Sequence, residues 1–295
     1  MGAAEPRLRR SMLMTPGHRP ERLHKALACG ADAVVFDLED GVPPEQKAAA
    51  RTAVAAVLRD ASARARAREV EICVRLNALP SGLAAEDLAA LPLHDIDALF
   101  VPKVESAHEV QALEALLPAG SPAALQFVLT LETPRGMLRA LDIAEASPRT
   151  TGLFFGSGDY TAATGGARTP LGLLHPRSVV AAAAAAVGAQ AIDAAYFEDL
   201  RDEAATRADA QAARELGFAG KVVFHPVQVP VVNAVFAPTA EEVLHAQQLL
   251  RAWDEAQARG TGTALAGGVF VAVDLVEPAR KLLRRAARIT ARAGG

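Results

Sequence analysis

Residues 33–40 read Ala-Val-Val-Phe-Asp-Leu-Glu-Asp, an apolar run that closes on Asp37, Glu39 and Asp40. A short, continuously apolar segment suits a strand covered on both faces, as in a parallel sheet between helices. Working outward, seven further runs share its character: Ser11–Thr15, Glu71–Leu76, Ala98–Pro102, Gln126–Leu131, Gly152–Phe155, Ala191–Phe197 and Lys221–Phe224. Ala-rich helical stretches lie between them, namely 45–67, 106–117, 135–146, 177–187 and 200–216. Eight strand-helix units predict an α/β fold closed as a (β/α)8 TIM barrel, since open doubly wound sheets use five or six strands. No G-x-G-x-x-G follows the first run and no G-x-x-x-x-G-K-[ST] occurs, so both common nucleotide fingerprints are missing.

The barrel is expected over residues 8–240, with a C-terminal helical extension over 241–295 that forms a lid or a subunit contact. Thr239 and Glu242 read as a capping box opening a helix to Arg259. Residues 260–268 are Gly-rich and read as a flexible connection, and 275–292 as a basic terminal helix.

Composition narrows the function. The 295 residues are 51% hydrophobic with a net charge of -3, which excludes intrinsic disorder and supplies no basic face for nucleic acid. Cys29 and Cys73 sit in apolar runs and cannot form a disulfide framework, and residues 1–17 lack a signal-peptide core. The longest apolar run, Val179–Val187, is mostly Ala and far short of the roughly 20 apolar residues of a membrane span. The expectation is a cytoplasmic protein without a membrane or nucleic-acid partner.

In such a barrel the chemistry belongs at the C-terminal ends of the strands. Those ends are polar: Asp37, Glu39 and Asp40; Arg75 and Asn77; Lys103 and Glu105; Glu132 and Arg135; Asp159; and His225. Glu132 and Asp159 follow consecutive strands, which in a barrel are neighbours about 5 Å apart. Two adjoining carboxylates call for a cation or a shared proton, and oxygen-only ligation points to a hard ion, Mg²⁺. Helix capping is the plainer role for each taken singly. Arg75, ending a buried strand, needs an anionic partner: a substrate carboxylate held by two parallel hydrogen bonds, or an internal pair with Glu39 or Asp40. His225 either donates to a ligand or is satisfied locally, and Cys73 reads as packing.

Several linked segments carry a resemblance: 10–51 (RSMLMTPGHRPERLHKALACGADAVVFDLEDGVPPEQKAAAR), 73–79 (CVRLNAL), 100–106 (FVPKVES), 131–136 (LETPRG), 155–165 (FGSGDYTAATG) and 224–239 (FHPVQVPVVNAVFAPT). Over about residues 8–240 the chain resembles the citrate lyase beta-subunit-like branch of the HpcH/HpaI aldolase superfamily. The resemblance implies a Mg²⁺-dependent (β/α)8 barrel, assembled as a homotrimer or hexamer, and a carbon-carbon lyase. Such an enzyme acts on citryl-, malyl- or citramalyl-CoA type 3-hydroxy-acyl thioesters and yields a keto acid and an acyl-CoA. It also implies roles. Glu132 and Asp159 would be the metal ligands, Arg75 would hold the keto-acid carboxylate and act in catalysis, and Glu39 and Asp40 would hold metal-bound water as the catalytic acidic pair. Asp37 would open that substrate-binding motif, and Arg10, Arg19 and Lys25 would meet the CoA phosphates. Two alternatives stay open: an enzyme similar to malate synthase or malyl-CoA thioesterase, and a citrate lyase beta subunit that needs a carrier-protein partner. Gly158 stands where the resemblance expects an acidic residue. The tail GGVFVAVDLVEPARK departs from the expected GKMVDxP, and neither Asp274 nor Glu277 aligns with its aspartate, which weakens the thioesterase alternative.

Overall fold

Strands form where the apolar runs place Val, Ile, Leu and Phe in succession, and a computed structural model describes them within residues 7–67 and 69–294. They are β1 (Ser11–Pro16), β2 (Ala33–Asp37), β3 (Glu71–Arg75), β4 (Ala98–Val101), β5 (Gln126–Leu131), β6 (Thr150–Phe155), β7 (Gln190–Asp193) and β8 (Gly220–Val223). Each pairs in parallel with the next and β1 pairs with β8, which closes the barrel. Alternation then sorts the side chains. Met12, Val35, Cys73, Phe100, Val128, Phe154, Ile192 and Val222 pack together inside the barrel. Leu13, Val34, Phe36, Ile72, Leu99, Phe127 and Leu153 face the helices in the larger outer core. Continuing the inward parity past the strand ends brings Asp37, Arg75 and Glu132 to the barrel's C-terminal mouth.

The N-terminal end is sealed by Arg9, whose guanidinium donates to Glu71 at 2.7 and 2.8 Å, to Gln126 at 2.8 Å and to the Thr151 carbonyl at 3.0 Å. A guanidinium here is tolerated because its donors find acceptors. Between barrel and helices lies a second buried network: Arg177 and Lys221 share Asp193 and Asp209.

Three expected boundaries move, each for a local reason. β7 ends at Asp193, short of the expected Phe197, because the Tyr196 carbonyl accepts from Gln228 at 2.8 Å in place of a ladder partner. The expected 135–146 helix is two pieces, Pro134–Leu138 and Ala140–Glu145, interrupted at Arg139. The expected 177–187 helix starts at Pro170, where Thr169 caps it by accepting from the Gly172 amide.

The chain divides into two compact units, the first ending at Phe236 and the second beginning at Ala237. In the second, Thr239 and Glu242 form the capping box of the Ala240–Ala258 helix. The Gly-rich stretch is not a flexible connection but a hairpin, Ala264–Ala266 paired antiparallel with Val269–Val271. Its turn residues Gly267 and Gly268 both have positive φ, 55° and 84°, a backbone that hairpin turns require and glycine adopts without strain. The Val273–Gly294 helix packs Ala279 with Ala246, Leu249 and Val271, while Leu265, Phe270 and Val273 stay exposed.

Arg9→Met would leave Glu71 charged and buried without its partner. The expected loss is about 3–5 kcal/mol of unfolding free energy, read as a lower midpoint in urea at pH 7.

Candidate active site

The mouth is built around Arg75. Its Nε and Nη2 donate to Asp37 at 2.6 and 2.7 Å, and Nη1 lies 2.9 Å from Glu39 Oε2. Asp37 also accepts the amides of Glu39 at 2.8 Å and Gly41 at 2.9 Å. A carboxylate offers about four acceptor positions, so Asp37 is saturated from within. This corrects the expectation that it binds substrate, because the turn after β2 and the guanidinium already use it. The planar edge of Arg75 expected to meet a substrate is likewise taken by Asp37. The internal pair is the one present, with Nη1 the edge that faces Glu39.

Lys103, just past β4, was not singled out as a site residue in the sequence. Its backbone is left-handed, φ 53°, uncommon outside glycine. That turn aims the Lys103 amide at Glu132 Oε1, 2.9 Å away. The ammonium meanwhile lies 2.8 Å from Glu39 Oε1, 2.7 Å from Asp40 Oδ2 and 3.8 Å from Asp159 Oδ2. One residue thus ties Glu39, Asp40, Glu132 and Asp159 together. The motif FVPKVES was visible, but the convergence of four segments on its lysine is tertiary.

Burial grades across the site. Glu132 and Glu39 are buried, whereas the side chains of Asp159 and Asp40 are 48% and 60% exposed, so the cluster has a closed floor and an open face. Glu132 is pushed up to about 8 by burial, then by Glu39 and Asp159, against the pull of Arg75 and the Lys103 amide. Burial also raises Glu39, with Arg75 and Lys103 opposing. Burial works against the ammonium of Lys103, but Asp40 and Glu39 hold it above the ordinary lysine range.

A hard divalent cation fits this donor set. Glu132 and Asp159 offer only oxygen, and the surplus of carboxylates that raises Glu132 is what such a cation relieves. Gly156 makes room for Glu132: a Cβ there would stand 2.4 Å from Glu132 Oε2. Among the described residues no group of three or more His, Cys, Asp or Glu side chains is arranged to hold a metal ion, so Glu132 and Asp159 are the two donors offered. Beside the cluster opens a cleft of about 710 Å³ lined by His18, Glu39, Asp40, Lys47, Asn77, Ser81 and Lys103 among others. Lys47 is fixed there, donating to the Leu38 and Glu39 carbonyls at 2.7 Å each.

The expected CoA-binding residues are not gathered here. Arg10 precedes β1 and therefore lies at the opposite, N-terminal end, where its guanidinium and amide bind buried Asp32 at 2.8–2.9 Å. That placement corrects its assignment to the phosphates. Arg19 stands exposed at the start of the Pro20–Ala26 helix on the mouth side, and Lys25 is exposed in its last turn. The His225 ring accepts the Val227 amide at 3.2 Å, a local role. Cys73 is buried inside the barrel, its thiol pushed well up by burial.

A closed barrel with carboxylates, an arginine and a lysine gathered at one open mouth is the layout of a (β/α)8-barrel enzyme. Residues 10–226 match the family model for HpcH/HpaI aldolase/citrate lyase, and the chain belongs to that family. It is 35% identical to the (3S)-malyl-CoA thioesterase of Cereibacter sphaeroides (strain KD131), covering 96% of each chain. It is 34% identical to citrate lyase subunit beta of Leuconostoc mesenteroides, covering 95% of this chain and 94% of that one. Among solved structures it is similar to CitE of Mycobacterium tuberculosis in complex with magnesium, acetoacetate and coenzyme A. That match has a TM-score of 0.75 and 33% identity, covering 96% of this chain and 99% of the other.

A carboxyl raised on folding binds more protons in the folded than in the unfolded chain between its two pKa values. Stability contributed by neutral Glu132 is therefore full below its ordinary 4.5 and lost as pH rises through about 8. Chemical denaturation of the protein in EDTA should show stability falling across this window. Glu132→Gln, which stays neutral, should flatten the slope; an equally steep slope in the variant would assign it to another group.

Proposed function

We propose that the protein is a Mg²⁺-dependent carbon-carbon lyase that cleaves a 3-hydroxy-acyl-CoA thioester, of citryl-, malyl- or citramalyl-CoA type, into a keto acid and an acyl-CoA. The observation that carries this is the Lys103-centred cluster, in which the Lys103 amide meets Glu132 and its ammonium meets Glu39, Asp40 and Asp159, with Arg75 on Glu39. The magnesium and coenzyme A held by the similar CitE of Mycobacterium tuberculosis support it.

Glu132 and Asp159 would hold the ion, which supplies fixed positive charge beside the oxygen where negative charge moves. The chain's own residues do the rest. In the cleavage, the bond between the hydroxyl-bearing carbon and the carbon next to the thioester breaks. The hydroxyl proton leaves and that oxygen becomes the keto group. The bonding electrons pass to the thioester side, and the resulting enolate takes up a proton to give the acyl-CoA. Glu39, raised by burial and flanked by Asp40, receives the hydroxyl proton through a water. Arg75 Nη1 stabilises the oxygen and carboxylate of the keto-acid half without reorganising, because Asp37 and Glu39 already hold the guanidinium. Arg19 and Lys25 remain the groups proposed for the CoA phosphates. A cytoplasmic setting suits two free thiols, and no described helix is long and apolar enough to cross a membrane.

The thioesterase relative favours a second activity, hydrolysis of the thioester itself. Turnover of malyl-, citramalyl- and citryl-CoA with Mg²⁺ separates the cases. Keto acid and acyl-CoA in equal amounts mark the lyase, free thiol with an intact hydroxy acid marks the thioesterase, and no turnover without an acyl-carrier partner marks a complex subunit. Only the first outcome upholds the proposal.

Arg75→Lys keeps the charge and loses the planar fork. Loss of a charge-assisted pair, about 1.5–3 kcal/mol, should lower kcat/KM roughly 10- to 150-fold. Because the fork also anchors Asp37, Tm should fall as well. Normal kinetics in the folded fraction would reduce Arg75 to a structural ion pair.

We also propose a homotrimer or hexamer in which the C-terminal unit contacts another subunit. Exposed Leu265, Phe270 and Val273, 72%, 62% and 70% accessible, support this. Removing residues from Gly262 onward should change the mass in sedimentation or lower turnover. An unchanged assembly with full activity would sink the idea.

A further inference from the structure

Lys103 spends both of its functional groups on the carboxylates of the mouth. The amide serves Glu132 and the ammonium serves Glu39, Asp40 and Asp159. The left-handed backbone at φ 53° is what lets a single residue do both, since it turns the amide toward β5 while the side chain crosses toward the turn after β2. The ammonium contacts are unequal. Glu39 and Asp40 lie at 2.8 and 2.7 Å, but Asp159 lies at 3.8 Å, the weakest hold on the most solvent-facing of the two proposed metal ligands.

We propose that the Lys103 ammonium is the resident counter-cation of the metal-free site, which keeps Glu39, Asp40 and Asp159 assembled and gives up Asp159 when a divalent cation binds. This rests on the assignment of Glu132 and Asp159 to such a cation, made above. The ion then meets carboxylates already in place, so little ordering remains at the moment of binding. It also enters against the positive charge of Lys103, which weakens its hold. Lys103 acts through the carboxylates, as a positioning residue that sets metal affinity.

Removing the ammonium takes away both effects at once, and the change in affinity reads which is larger; the repulsion should prevail. Lys103→Met keeps the length and loses the ammonium; Lys103→Gly loses it too and adopts the left-handed backbone without strain. The amide that serves Glu132 persists in both. Titration calorimetry of MgCl₂ into the full-length wild type and both variants, without substrate, reads the outcome. Both variants should bind Mg²⁺ about ten-fold tighter, because like charges a few ångströms apart in a partly buried site repel by more than the thermal energy. In EDTA their Tm should lie below wild type, and Mg²⁺ should raise it by more than it raises the wild-type value. Lys103→Arg, which restores a cation, should return the affinity toward wild type. Unchanged or weaker Mg²⁺ binding in a folded variant, with wild type binding normally, overturns this inference alone. A wild type that binds no Mg²⁺ overturns the metal assignment and this inference with it. Should the Met variant fail to fold, the Gly variant decides.

Discussion

Asp37, Glu39, Asp40, Glu132 and Asp159 crowd one end of a barrel where the cations in contact with them are Arg75 and Lys103. Like charges so placed repel strongly once water is thinned out, and the surrounding structure answers that repulsion residue by residue. Asp37 is drawn down onto the Arg75 fork and two backbone amides, so its charge is fully matched. Glu39 is buried because Arg75 and Lys103 meet its two oxygens. Glu132 accepts the Lys103 amide and feels Arg75 only at longer range, and it is the carboxyl driven furthest toward its neutral form, to about 8. The least compensated carboxylate is thus the one with most to gain from a divalent ion.

The two ends of the barrel show the same chemistry under opposite conditions. At the N-terminal end Arg9 meets Glu71, Gln126 and the Thr151 carbonyl, and Arg10 meets Asp32. Donors and acceptors there are matched and shut away, which serves stability. At the C-terminal end acceptors outnumber donors and Asp40 and Asp159 stay open to solvent. An unmatched buried charge is costly, so a fold carries one only where a ligand completes it.

Much of this was legible beforehand. The runs on either side of Ala33–Asp37 fix strand count and order through side-chain period alone, and the polar residue after each run marks the mouth. What escaped shows where one-dimensional reading stops. Arg10 and Arg75 are both arginines beside a strand. Only their side of the run separates them: Arg10 comes before Ser11 and so belongs to the far end. That signal was present, and the resemblance to CoA-binding relatives overrode it. The Gly267-Gly268 pair is likewise a hairpin signal, hidden within a stretch whose glycine content alone points to a flexible connection; the flanking strands, three residues each, are too short for alternation to show. Lys103 and the saturation of Asp37 are different in kind. Each depends on which atoms from four chain segments arrive at one place, and no spacing along the chain encodes that.

Gly158 gains meaning in the same terms. Five carboxylates against Arg75, Lys103 and Lys47 leave two negative charges when all are ionised, the number that a divalent ion neutralises. An acidic side chain at 158, next to Asp159, would add one more negative charge to that surplus. A Cβ there would touch only the Phe197 ring, at 3.7 Å, so space does not dictate glycine. Charge is what the position changes: glycine leaves one carboxylate fewer beside Asp159, the more exposed of the two candidate metal ligands.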